Sequence, residues 1–323
     1  VEYGNLLEAT RDHLERTVKR SLFQTVLRRF AIEKIFPHPE RMELALKPAQ
    51  WLKVSGLVAW LPRFVRESLR LIPDEIEAAE LPRFSPATGE RKGVVGFVNG
   101  CVMGVMFGRT HHNSVKLLNA AGYDVITPGG QVCCGALYAH SGKLAEAREV
   151  ARRNVQVFGE ENLDAIVINA AGCGSTLKEY GHLLQGDADW GRRGKDFSRL
   201  VQDLSQFLHG VGFVDFLKSR SRPPAGNVTF HDACHLAHPQ RIKSEPRELV
   251  RAVAGRNYVE LPEADVCCGS AGSYNLTEPE MAARLKNRKV GNIRSTSAQI
   301  VVTTNPGCIL QIQAGLDEHP DGE

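Results

Sequence analysis

At 323 residues the chain is about twice the size of a usual single domain. Its 42% hydrophobic and 24% charged residues are the proportions of a folded chain with a sizeable core, which excludes a disordered tail, and 40 Lys and Arg against 37 Asp and Glu leave +3, too even a balance to argue for nucleic acid. Eight cysteines are too few for a disulfide-stapled mini-protein, and the most apolar early stretch, Trp51 to Phe64, is broken by Lys53, Pro62 and Arg63 and is too short to span a bilayer.

No signal peptide is recognisable at the start, and because Val1 is not Met, further residues are expected upstream. Asn5 to Lys34 reads as one long helix or two, with Leu14, Val18, Leu22, Val26 and Leu27 at helical spacing. From Arg11 to Lys34 basic residues outnumber acids, so the segment is expected to form a helical layer packed on the rest of the chain or a docking face for a partner or an anionic membrane. Pro37, Pro39, Pro48 and Pro62 cut the next stretch into short pieces.

Beyond Pro82 to Gly93, read as a linker, the pattern changes. Val94 to Val98, Val125-Ile126 and Ala165 to Ile168 are uninterrupted apolar runs rich in β-branched residues, which mark strands buried on both faces. Helices are expected between and after them, at Asn113 to Ala121, Leu144 to Phe158 and Ser175 to Leu184. After a second linker, Arg222 to Gly226, the order repeats. Strands are expected at Val228 to Phe230, Tyr258 to Leu261 and Ile300 to Val302, with helices at Arg247 to Ala254, Pro279 to Arg294 and after Gly307. The alternation predicts an α/β fold: a helical N-terminal segment (1–92), then two tandem cysteine-rich domains (93–222 and 223–323), each with parallel βαβ sheets.

The cysteines carry the repeat. Cys101, Cys133, Cys134 and Cys173 form one set, and Cys234, Cys267, Cys268 and Cys308 form another with nearly the same gaps. Gln131-Val-Cys-Cys-Gly135 matches Asp265-Val-Cys-Cys-Gly269, and no cysteine falls outside the pattern. Each set lies where strands hand over to loops, the edge at which open α/β sheets bind ligands.

Four thiolates can hold zinc or an iron–sulfur cluster. Adjacent cysteines favour the cluster, because two neighbouring thiolates reach separate irons more easily than one tetrahedral ion. Gly135 and Gly269 let the backbone turn and present amides to an anionic, sulfur-rich ligand. Inert buried thiols, a vicinal disulfide at Cys133–Cys134 or Cys267–Cys268, and a structural zinc site are the competing readings. Histidines gather near the first cysteine of each set: His111 and His112 in one half, His231, His235 and His238 in the other. The last three are candidate outer neighbours that tune a cluster. No Ser-His-Asp arrangement, Walker loop or Gly-x-Gly-x-x-Gly fingerprint is evident. With no flavin or nicotinamide site of ordinary form, electrons are expected to pass through this chain while carbon chemistry happens elsewhere.

The two Cys-Cys-Gly motifs, His231-Asp-Ala-Cys-His-Leu-Ala-His238, Cys267-Cys-Gly-Ser-Ala-Gly-Ser-Tyr-Asn-Leu-Thr277, Gly172-Cys-Gly-Ser-Thr-Leu-Lys-Glu-Tyr-Gly181 and Asn305-Pro-Gly-Cys308 resemble the iron–sulfur subunit of glycolate oxidase (glycolate dehydrogenase). Lactate-oxidation iron–sulfur proteins, the anaerobic glycerol-3-phosphate dehydrogenase electron-transfer subunit and the cysteine-rich subunit of heterodisulfide reductase are similar only in the cysteine-rich domain. The resemblance implies an electron-transfer subunit that carries iron–sulfur and no flavin. Flavin-containing partner subunits would oxidise glycolate to glyoxylate, and this chain would pass electrons toward a membrane quinone. It implies a cytoplasmic chain, peripheral at the inner face of the cell membrane.

Two departures stand out. The ferredoxin-like domain with which family members begin is not present, so the chain resembles a member with that domain removed, and its C-terminus stops short of the usual last strand and helix. The heterodisulfide reductase subunit ends each motif in Cys-x-x-Cys, whereas here Ala170 and Asn305 occupy the extra positions. Four cysteines per set leave a four-iron (4Fe–4S) cluster as the expectation, beside a modified cluster or a partly occupied site. Asn305 joins the three histidines as a candidate outer neighbour. A heterodisulfide reductase-like thiol/disulfide protein is the alternative function.

Overall fold

A computed structural model describes residues 3–18, 34–55, 60–61, 63–73, 76–272 and 274–318. The chain divides into two compact units, one of residues 1–58, 74–168 and 173–202, the other of residues 59–73, 169–172 and 203–323. Among the described residues, no helix is long and apolar enough to cross a membrane.

The first unit starts with helices α1 (Tyr3–Thr17) and α2 (Pro39–Val54). Most of the second half of the expected N-terminal helix, residues 19–33, lies outside the described residues. A five-stranded sheet comes next, in the order β1 (Phe84–Ser85), β3 (Tyr123–Ile126), β2 (Gly93–Phe97), β4 (Ala165–Ile168), β5 (Val201–Asp203). Strand β2 pairs in parallel with β3, Val95 opposite Val125, and with β4, Val95 opposite Ala165. The segment read as a linker instead supplies β1, antiparallel to β3 at the sheet edge, because Asn119 holds it there: Ser85 Oγ donates to its side chain at 2.8 Å and its Nδ2 donates to the Ser85 carbonyl at 3.1 Å.

Helices α3 (Val102–Met106) and α4 (Gly108–Ala120) connect β2 to β3, and α5 (Ala136–His140) and α6 (Leu144–Gly159) connect β3 to β4. This is the crossover expected of parallel neighbours. Beyond β4 run α7 (Ala171–Lys178), α8 (Tyr180–Leu183) and α9 (Gly191–Leu200). The single helix expected over Ser175 to Leu184 is thus broken at Glu179, where an i to i+3 turn, Glu179 N to the Thr176 carbonyl at 3.0 Å, swings Tyr180 into the core. Helix α1 packs on α5: Arg11 Nη1 donates to the His140 carbonyl at 3.0 Å, and Glu8 meets His140 Nδ1 at 3.2 Å.

The second unit carries α10 (Leu204–Gly210), α11 (Phe213–Arg220), β6 (Val228–Phe230), α12 (Cys234–Ala237), α13 (Ser244–Ala254), α14 (Tyr274–Thr277), α15 (Pro279–Ser295), β7 (Ile300–Val302) and α16 (Pro306–Asp317). Strands β6 and β7 pair in parallel, Thr229 opposite Val301. The strand expected at Tyr258 to Leu261 forms only one bridge, Tyr258 to Val228. Pro262 has no N–H to extend the ladder, and Glu260 is drawn off by Arg247 and Arg251 at 3.0 and 2.9 Å. The helix Arg63–Arg70 also belongs to this unit, where Arg70 and Lys286 both hold Glu318.

Candidate metal centres

The two halves place their cysteines by the same local device. In each, the strand before the first cysteine ends on a buried phenylalanine, Phe97 or Phe230. The next residue donates its amide to the partner strand, Val98 N to the Val167 carbonyl at 3.0 Å and His231 N to the Val302 carbonyl at 2.9 Å. Three residues further come Cys101 and Cys234. The cysteine pairs follow the next extended segment and the last cysteines lie in helices that follow β4 and β7, so each set collects at the carboxyl ends of its strands.

The loops that deliver the pairs are gripped by the helix that comes after them. In the first unit Asn154 of α6 accepts from Val132 N at 2.9 Å and donates to the carbonyl of Cys133 at 3.2 Å and to the Tyr180 hydroxyl at 3.1 Å. Tyr180 in turn donates to the carbonyl of Cys134 at 2.8 Å. In the second unit buried Lys289 of α15 donates to the carbonyls of Glu263 and Ala264 at 2.5 and 3.3 Å, and burial lowers its pKa. Arg288 and Asn292 hold the Glu263 carboxylate, at 2.7 and 2.9 Å to the same oxygen, and keep it at about 2. Glu263 itself sits at a φ of 51°, a left-handed conformation unusual for a residue with a Cβ. Nothing in the sequence singles out Asn154, Tyr180 or Lys289 for these roles. Tyr180 lies inside the Gly172 to Gly181 motif, but only the break in the helix shows what it touches.

Gly135 and Gly269 follow the pairs at φ values of 83° and 91°, where a side chain is strained. A Cβ at Gly135 would meet Val150 of α6 and one at Gly269 would run into the carbonyl of Ala282 in α15. The turn brings the Gly269 amide to Cys267 Sγ at 3.3 Å.

All eight cysteines are thiols. In the first set Cys101 donates to Cys133 at 3.5 Å. The thiols of Cys101 and Cys134 beside it, with the Gly135 amide, pull the Cys133 pKa well down, whereas the proton each gives to Cys133, together with burial, pushes Cys101 and Cys134 up. The second set repeats this: Cys234 and Cys268 lower Cys267 to about 2 and are themselves pushed up. Cys308 is held at about 5 by the Cys268 thiol, with the His231 imidazole and the Asn305 amide, 3.7 Å from its sulfur, acting in the same direction against burial. Each unit thus gathers four soft donors, at least one already favoured as thiolate, with five of the eight cysteines buried. That donor set fits an iron–sulfur group, and binding one would release the remaining thiol protons.

The other candidates separate. His231 is fully buried, with one ring nitrogen and the sulfurs of Cys268 and Cys308 all within 4.8 Å of one another. His235 Nδ1 is 3.5 Å from Cys234 Sγ. Asn305 also accepts from Gly172 N at 3.1 Å. His238 is exposed. His112 is exposed, whereas His111 is buried edge-on against Phe97 at 5.1 Å, its Nε2 donating to the Asn99 carbonyl at 2.6 Å.

Burial lowers the His111 pKa from 6.5 to about 4, so the folded chain keeps it neutral. The unfolded chain takes up a proton below 6.5 and the folded one does not until about 4, so stability is full above that window and falls as pH drops through it. From pH 6.5 to 5 the expected loss is about 2 kcal/mol. Urea unfolding at both pH values checks it, and His111→Gln should flatten the slope.

Comparison with known proteins follows the same division. The family described as "Cysteine-rich domain" (CCG) matches residues 95–178 and 228–313. The probable glycolate oxidase iron-sulfur subunit of Bacillus subtilis is 37% identical over 98% of this chain and 74% of its own length. The glycolate oxidase iron-sulfur subunit of Escherichia coli is 30% identical over 95% and 72%, and lactate utilization protein A of Oceanobacillus iheyensis is 31% identical over 66% and 85%.

Proposed function

Since the chain belongs to the CCG cysteine-rich family and is homologous to glycolate oxidase iron–sulfur subunits, we propose that it is an electron-transfer subunit of an oxidoreductase, carrying an iron–sulfur group on each cysteine set. Cys101, Cys133, Cys134 and Cys173 hold one and Cys234, Cys267, Cys268 and Cys308 the other, within domains spanning 93–222 and 223–323. The observation that carries this reading is the convergence of four thiols in each unit, with charge already favoured on Cys133, Cys267 and Cys308.

A bound iron–sulfur group, read here as 4Fe–4S, supplies one-electron storage. The protein's part is to hold and insulate it. Buried Cys133, Cys134, Cys268 and Cys308 keep water from the sulfurs, the Gly269 amide offsets negative charge at Cys267, and the Asn154 and Lys289 clamps fix the loops so that little has to rearrange when charge changes. Flavin-containing subunits oxidise glycolate to glyoxylate and deliver the electrons, and a quinone at the membrane receives them. The lactate utilization relative favours a second reading in which the partner oxidises lactate.

Iron, acid-labile sulfide and zinc measured on anaerobically purified protein test the reading. Iron with matching sulfide, and visible absorbance that bleaches on reduction, are expected. Zinc without sulfide would overturn it. In the assembled complex, bleaching by glycolate and not by lactate decides between the two substrates.

A further inference from the structure

The two cysteine sets are not equivalent. The matching amide bonds, Val98 N to Val167 O and His231 N to Val302 O, show that Val98 and His231 occupy the same place in the repeat, three residues before the first cysteine and one beyond the strand. In the first unit this place is filled by an aliphatic side chain. In the second it holds an imidazole that is 0% exposed. Among the described residues, neither of its ring nitrogens makes a well-formed hydrogen bond, and the polar atom that the ring acts on is the Cys308 sulfur.

Burying such an imidazole costs stability, because two polar atoms leave water and gain at most a weak contact with a sulfur in return. Here the poorly compensated side chain is also placed among donors, with a ring nitrogen and the sulfurs of Cys268 and Cys308 within 4.8 Å of one another. Imidazole is a borderline donor that shares iron with thiolate. The neighbouring acid does not account for it: both oxygens of Asp232 are occupied by Arg247, at 2.8 and 2.6 Å.

Resting on the iron–sulfur reading above, we infer that His231 is a nitrogen ligand to the metal group of the second set, beside Cys268 and Cys308, and that the first set is ligated by sulfur alone. The imidazole adds a neutral nitrogen donor to the thiolates of the second set, so the two centres differ in coordination and therefore in reduction potential.

The test is pulsed electron paramagnetic resonance of the anaerobically purified full chain, reduced with dithionite, with histidine at natural abundance and labelled with 15N. A coupling of the strength of a ligated imidazole is expected, altered by the label, retained in His235→Gln and lost in His231→Gln. In a potentiometric titration one of two midpoints should shift in His231→Gln while the other stays. Label-sensitive coupling in the unmutated chain and in His235→Gln supports the assignment even if His231→Gln does not fold. Iron and sulfide present with no label-sensitive coupling, or with coupling that survives His231→Gln, would overturn the ligand assignment alone. Absence of iron and sulfide would instead overturn the electron-transfer reading beneath it.

Discussion

Replacing Cys134 by serine is expected to remove the iron, sulfide and visible absorbance of the first set and to leave those of the second, about half of each total. Cys134 is buried, its thiol is bonded toward Cys133, and its carbonyl is fixed by Tyr180. The serine hydroxyl therefore stays where the thiol was but is a far poorer ligand to iron, being harder and much less acidic. The backbone anchors do not involve the side chain, so the variant should fold, as a far-ultraviolet dichroism spectrum would show. Parallel loss of both halves of the signal would refute one group per set.

The largest effect on stability is expected at Arg247. Its guanidinium makes a two-pronged bond to Asp232, which is 2% exposed, reaches Glu260 at 3.0 Å, and lies over the Phe230 ring at 5.7 Å. Arg247→Met leaves the buried Asp232 carboxylate without the cation that hydrogen-bonds it, with only the more distant Lys289 charge remaining, which costs roughly 3–5 kcal/mol. Urea unfolding at pH 7 measures it. Asp232→Asn added to Arg247→Met removes the stranded charge and should recover part of the loss. A cost below about 1 kcal/mol in the single variant would mean that water reaches Asp232.

Much of the cysteine-rich fold can be read from the chain because its signals are local. Val94 to Val98, Ala165 to Ile168 and Ile300 to Val302 are apolar in unbroken runs and form β2, β4 and β7 within a residue or two. The same holds for the helix at Leu144 to Phe158, which has a wide apolar face and no interruption. What escaped depends on partners distant in sequence. Tyr258 to Leu261 has strand-like composition, yet Glu260 is taken by arginines from α13 and the ladder ends after one bridge. Phe84-Ser85 has no strand signal and pairs because distant residues capture it: Asn119, 34 residues on, holds Ser85, and Asp124 accepts from Ala87 N at 2.8 Å. At the sites, the cysteines announce themselves by spacing. Asn154, Tyr180 and Lys289 do not, because a helical polar residue carries no mark of which loop it holds. His231, His235 and His238 look alike in one short motif, and only the turn after β6 separates a buried ring from an exposed one.

The grip of α15 on the loop before Cys267 has a dynamic consequence. Arg288, Lys289 and Asn292 all reach the loop at Glu263, so the loop cannot lift away while those turns of the helix remain wound. Segments tied in this way open as one cooperative unit rather than by separate local fraying. In native-state hydrogen exchange, the amides of Val266 and of the middle turns of α15 should therefore share one opening free energy and one dependence on denaturant. Lys289→Met should lower the opening free energy of Val266 below that of the middle turns of α15, turning a rigid strap into a loop that exchanges on its own.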